Sequence, residues 1–106
     1  MKSCINPLIK RIQLWGRDKG INNPKNQLNK VIEEVGEIAH EITRDKIENN
    51  PDLADAIGDT LVTVFILADI CGYDVQGCLI KAYNEIVDRK GRTIDGNFIK
   101  ETNDSE

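Results

Sequence analysis

From Leu53 to Ile70 the chain is apolar on nearly every side of a helix, with Leu61, Val62, Val64, Phe65, Ile66, Leu67 and Ala68 almost continuous. A helix of that kind belongs in the middle of a packed structure, because no single neighbour can cover it. Asn49, Asn50 and Pro51 punctuate the sequence before it, so this helix is expected from Asp52 to about Cys71, where Gly72 stops it. A second strong pattern precedes it. Leu28, Val31, Ile32, Val35, Ile38, Ala39 and Ile42 follow helical spacing, and Asn23 followed by Pro24 suits an N-cap with proline at the first helical position. The pattern predicts a helix from Pro24 to about Arg44, with that apolar stripe facing a core.

Two weaker patterns flank these. Leu8, Ile9, Ile12, Trp15 and Leu14 suggest a helix from about Pro7 to Lys19, ended by Gly20. Val75, Cys78, Leu79, Ala82, Tyr83 and Ile86 suggest another from Asp74 to about Lys90, ended by Gly91. The remainder, Arg92 to Glu106, is expected as a short irregular tail. Its Asp95-Gly96 turn signal, between Ile94 and Phe98, would allow a small hairpin or a strap. The expected class is all-α, a four-helix core in a single domain spanning residues 1–106, since that length suits one hydrophobic core.

Composition excludes several functions. The net charge is −4 and the basic residues are scattered among acids, so no face is suited to polymeric nucleic acid. No apolar run reaches the ~20 residues of a membrane span, and Met1 to Lys10 lacks the apolar region of a secretory signal. A cytoplasmic protein is the expectation. Cys4, Cys71 and Cys78 show neither paired spacing nor a disulfide framework, and are read as reduced and structural. With only 5% aromatic residues and a very apolar third helix, a monomer is short of cover, so a homodimer is expected.

The chemistry lies in the acids. Glu34, Glu37 and Glu41 fall at helical spacing and form a ridge beside the apolar stripe, with Glu33 pointing further outward. Like charges so spaced repel unless something positive sits among them; a cation would supply that, and so would a solvated face with Lys30 paired to Glu34. On the third helix Asp55 and Asp59 share a face, with Asp52 one turn earlier. The apolar neighbours of Asp59 predict a buried position, where a carboxylate needs a metal or a basic partner. Two antiparallel helices would set Glu34 and Glu37 opposite Asp59, an all-oxygen site of the hard type that suits Mg²⁺ or Mn²⁺. His40 stands alone and is read as a surface or packing residue. Trp15 and Phe65 are the aromatics able to stack on a base, with core packing the competing role for each.

Glu33-Glu34-Val-Gly-Glu37, followed by Asp55-Ala-Ile-Gly-Asp59, resembles the MazG-like nucleotide pyrophosphohydrolases of the all-α NTP pyrophosphatase superfamily. The usual form there is EExxE, a spacer and ExxD. The similarity extends over Leu28 to Gly91, including Lys81, Asn84, Asp88 and Arg89. It implies a four-helix core that forms a dimer or dimer of dimers, and hydrolysis of a nucleoside triphosphate to its monophosphate and pyrophosphate. Glu34, Glu37 and Asp59 take the metal-ligand positions, while Glu33 or Glu37 acts on water. Lys81, Asn84 and Arg89, in the matching downstream stretch, take substrate-binding roles, while Trp15 lies outside the similarity and is a substrate-binding candidate only as an aromatic able to stack on a base. One position departs from the pattern, because Ala56 stands where the second half carries Glu. Asp55 is the nearest substitute ligand, one turn before Asp59. The departure leaves open a non-catalytic module that keeps the fold and binds nucleotide or dimerises without turnover, and beyond it a plain helical bundle with surface acids.

Overall fold

The computed structural model describes residues 5–44 and 47–101; Cys4 and the last tail residues lie outside them. Four helices and a hairpin follow one another: α1 (Ile5–Asp18), α2 (Pro24–Arg44), α3 (Pro51–Cys71), α4 (Val75–Val87), β1 (Gly91–Ile94) and β2 (Asn97–Lys100). Of the described residues 73% are helical, which makes the class all-α. It divides into two compact units, Met1–Val75 and Gln76–Glu106.

In the first unit the start of α2 and both ends of α3 have a local cause. Asn23 Oδ1 accepts from the Asn26 amide at 3.1 Å, capping α2 ahead of Pro24. Asn50 Oδ1 accepts from the Leu53 amide at 3.1 Å, so α3 starts at Pro51, one residue before the expected Asp52. Its far end closes on Gly72, whose φ of 80° belongs to the left-handed region that glycine tolerates.

The contacts between helices give their directions. Gln27, early in α2, donates from Nε2 to the Thr63 carbonyl late in α3, while Glu41, late in α2, accepts from Asn50 at the start of α3. The two helices are therefore antiparallel. Along α1, Gln13 donates to the Phe65 carbonyl and Arg17 forks onto Asp69, so α1 and α3 run parallel. Between those polar ties Gly16 lies flush against Ile66, which is 3% exposed; a Cβ at position 16 would come within 3.2 Å of it. α3 thus occupies the centre, as its apolar character requires.

The covered faces differ from those the apolar pattern predicts. On α2 the covered positions are Gln27, Val31, Glu34, Ile38 and Glu41, whereas Leu28, Ile32, Val35 and Ile42 lie open. The stripe is displaced from the contact with α3 by one residue, or ~100° around the helix. On α1 it is Ile9 and Gly16 that are buried, and Leu8, Leu14 and Trp15 that are exposed. Even α3 shows Ile57, Leu61 and Val64 to solvent, so its burial is confined to the sides that meet α1 and α2.

The second unit holds α4 and the hairpin. α4 ends at Val87, short of the expected Lys90, because the Arg89 amide turns back to the Ile86 carbonyl. The segment expected as irregular is a regular two-stranded antiparallel hairpin with Gly91 opposite Lys100 and Ile94 opposite Asn97. Asp95 and Gly96, with φ of 51° and 77°, supply the two positive φ angles of the tight turn that matches strand twist. Gly91 is required at the open end, where a Cβ would run into the Ile99 carbonyl and the Phe98 ring.

Candidate functional site

The antiparallel pairing of α2 and α3 sets their acids face to face. Glu34, Glu37 and Glu41 from α2, and Asp52, Asp55 and Asp59 from α3, line one cleft of about 420 Å³ together with Ala56. These carboxylates are not equivalent. Glu41 is 7% exposed and compensated: Arg44 donates to both its oxygens at 3.1 and 3.3 Å, and Asn50 Nδ2 reaches it at 3.4 Å. It closes one end of the cleft as an ion pair. Asp55 and Asp59 are exposed, which corrects the expectation of a buried Asp59. The physical reason is the cleft itself, because the α3 face carrying Asp52, Asp55 and Asp59 opens beside α2 instead of packing on it. Ala56 is the covered residue of that face, 5% exposed.

Glu33 lies outward, within 3.3 Å of Lys30 Nζ, so the surface pair formed by Lys30 is with Glu33 and not with Glu34. Among the described residues no three His, Cys, Asp or Glu side chains converge to hold a metal. The donor chemistry of the cleft nonetheless fits a hard divalent cation: carboxylate oxygen throughout, from two facing helices, with Glu37 long and exposed enough to swing.

A second cavity, of about 510 Å³, adjoins the first, and Glu34 and Asp59 line both. Its apolar floor comes from Ile21, Val62 and Ile66, and its walls from Trp15, Asn22, Asn26, Gln27 and Lys30. Trp15, 51% exposed, is thus a cavity-lining residue more than a core residue. Phe65, the other aromatic considered for stacking, is half-buried and is not part of this lining. The chain reversal after α1 and the first turns of α2 place the amides there. Sequence reasoning passed over Gln27 and the asparagines, whose only signal was an amide-rich run at a helix start.

Lys81 and Asn84 lie exposed on α4 in the second unit, and Arg89 falls in the turn after it. Cys71 and Cys78, read as reduced and structural, are free and exposed. Arg17 and Asp69 form the clearest electrostatic pair of the first unit, with bonds of 2.5 and 2.7 Å. The hydrogen bond from Arg17 holds the Asp69 carboxyl below its ordinary range, and the same bond raises Arg17. No helix among the described residues is long and apolar enough to cross a membrane.

A helix pair with facing acids beside a half-open cavity is the setting in which the comparisons with known proteins fall. The chain belongs to the MazG nucleotide pyrophosphohydrolase family, whose domain matches residues 22–92 and so covers α2, α3, α4 and the start of the hairpin. An uncharacterized 18.2 kDa protein from the rep-hol intergenic region of Haemophilus phage HP1 is 35% identical over 68 residues, 60% of this chain. The match spans 39% of that relative's length. No solved structure matches.

Proposed function

We propose that the chain is a Mg²⁺-dependent nucleoside triphosphate pyrophosphohydrolase, with Mn²⁺ as an alternative ion, converting a ribo- or deoxyribonucleoside triphosphate to its monophosphate and pyrophosphate. The observation that carries this reading is the junction of an acidic cleft with a Trp- and amide-lined cavity at Glu34 and Asp59, in a chain of this family. Glu34, Glu37 and Asp59 would hold the ion, with Asp55 in place of the Glu that Ala56 lacks. When bound, the ion supplies charge neutralisation for the triphosphate and its leaving group. Glu37 accepts the proton of the attacking water as its oxygen joins phosphorus and the bridging P–O bond between the α and β groups breaks. Glu33, held outward by Lys30, serves at most as an outer acid. Lys81, Asn84 and Arg89, all open to solvent, keep the phosphate and sugar roles that the resemblance implies.

Family membership from residue 22 to 92 spans both compact units and supports treating the chain as one domain. The bare stripe of Leu28, Ile32, Val35 and Ile42 supports a homodimer or a dimer of dimers. The absence of a long apolar helix and the two free cysteines fit a cytoplasmic setting.

The test is pyrophosphate release from a nucleotide panel with Mg²⁺ or Mn²⁺, in wild type, Glu37→Ala and Asp59→Ala. Activity should fall by about 10²-fold or more in each variant, the range set by loss of positioned charge. Unchanged release from folded Asp59→Ala sinks the ligand assignment. Buried Ala56 favours one competing reading, a nucleotide-binding module without turnover; nucleotide binding with no pyrophosphate from any substrate would establish it.

A further inference from the structure

We propose that the 510 Å³ cavity takes the nucleobase, and that Gln27 selects it through a fixed acceptor, Oε1, that requires a hydrogen-bond donor on the base edge. The proposal rests on the reading of the chain as acting on nucleotides and adds the part of the substrate that the acidic cleft does not read.

Gln27 is 5% exposed, lines the cavity and donates from Nε2 to the Thr63 carbonyl at 3.1 Å. A carbonyl only accepts, so the amide nitrogen must face Thr63, and the orientation of the amide follows from chemistry. Oε1 is then held on the other branch, where no protein donor among the described residues reaches it. No buried side-chain oxygen or nitrogen of the described residues lacks a partner, so Oε1 is open rather than sealed, on a residue that lines the cavity. A nearly buried acceptor in such a place favours a ligand that brings a donor and disfavours one that does not.

The rest of the cavity suits a flat, polar-edged ring. Ile21, Val62 and Ile66 form an apolar floor, and the half-exposed Trp15 offers an indole face. Asn22 and Asn26 add neutral donors and acceptors at the rim. Lys30 stands one helical turn before Glu34, at the side where the cavity meets the acids, so a base in the cavity directs its phosphates toward the cleft.

Trp15 is the single tryptophan of the chain, which makes its fluorescence a reporter of this cavity. The experiment titrates nucleoside 5′-monophosphates into the full chain in EDTA, where hydrolysis and metal binding play no part. Each natural nucleotide is compared with its counterpart lacking one donor: adenosine with purine riboside, guanosine with inosine, cytidine with its analogue in which hydrogen replaces the 4-amino group, uridine with 3-methyluridine. Saturable quenching is expected, with at least one natural nucleotide binding about 10-fold or more tightly than its counterpart, the scale of one unsatisfied buried acceptor. Gln27→Met should remove that preference; should the variant not fold, the wild-type comparison decides alone. Equal binding within every pair overturns the role of Gln27, and no quenching by any monophosphate overturns the pocket. Pyrophosphate release without quenching refutes this proposal and leaves the enzyme reading standing; quenching without release does the reverse.

Discussion

Ala56 is the residue at which the acidic pattern breaks, and its burial beside six cleft acids makes it informative. Ala56→Glu would place one more carboxylate in a covered position among like charges, so the variant should melt lower than wild type in EDTA. Added Mg²⁺ should recover most of that loss, because ion binding to the folded state alone stabilises it. A melt insensitive to Mg²⁺ in both proteins would argue against the cleft as an ion site. Arg17 and Asp69 give a pH prediction. Asp69 is lowered in the folded state, so the unfolded chain takes up the proton first; the pair's contribution is present above the ordinary carboxylate range and is lost as pH falls through the depressed value. Asp69→Asn should therefore melt below wild type at neutral pH, with the gap closing in acid. Of these residues, Glu34, Glu37, Asp55 and Asp59 were legible in the sequence because helical periodicity alone puts acids on one face. The tying of Glu41 to Arg44, the Arg17–Asp69 clamp and the fixed amide of Gln27 were not. Each depends on which helix faces which and in what register, and glutamine or arginine at a helix flank carries no such label.

Elements were more readable than their contacts. Asn-Pro, Gly and Asp-Gly signals located α2, the end of α3 and the hairpin turn, because capping and positive φ are local properties of a few residues. The end of α4 was overextended, since Asp88, Arg89 and Lys90 are all tolerable in a helix and only a backbone turn to Ile86 stops it. The packing face of α2 was misplaced by one position, because hydrophobicity marks apolar positions without saying which of them meet α3, and the chain covers Gln27, Glu34 and Glu41 there. Two substitutions probe the elements. Asn50→Ala removes both the α3 cap and a donor to buried Glu41, and should cost about 1–2 kcal/mol in denaturant unfolding. Ile66→Ala empties the contact between α1 and α3 and should cost about 2–4 kcal/mol; a loss under about 1 kcal/mol would show that α1 does not rest on that residue.

At the scale of the molecule, few side chains among the described residues are buried: Ile9, Leu53, Ala56 and Ile66 are the buried apolar ones, and α4 contributes none. So small a core leaves the described residues short of stabilising burial. The proposed dimer would supply it through Leu28, Ile32, Val35 and Ile42, and sedimentation should return a mass of at least two chains; a monomer at micromolar concentration would remove the oligomer from the account. The reaction proposed for the acids that α2 and α3 set face to face is cleavage between the α and β phosphates. The most direct test incubates the chain with nucleoside triphosphates and Mg²⁺ and identifies the products by phosphorus NMR. Equal amounts of monophosphate and pyrophosphate are predicted, whereas diphosphate with inorganic phosphate, or unchanged triphosphate, would contradict it.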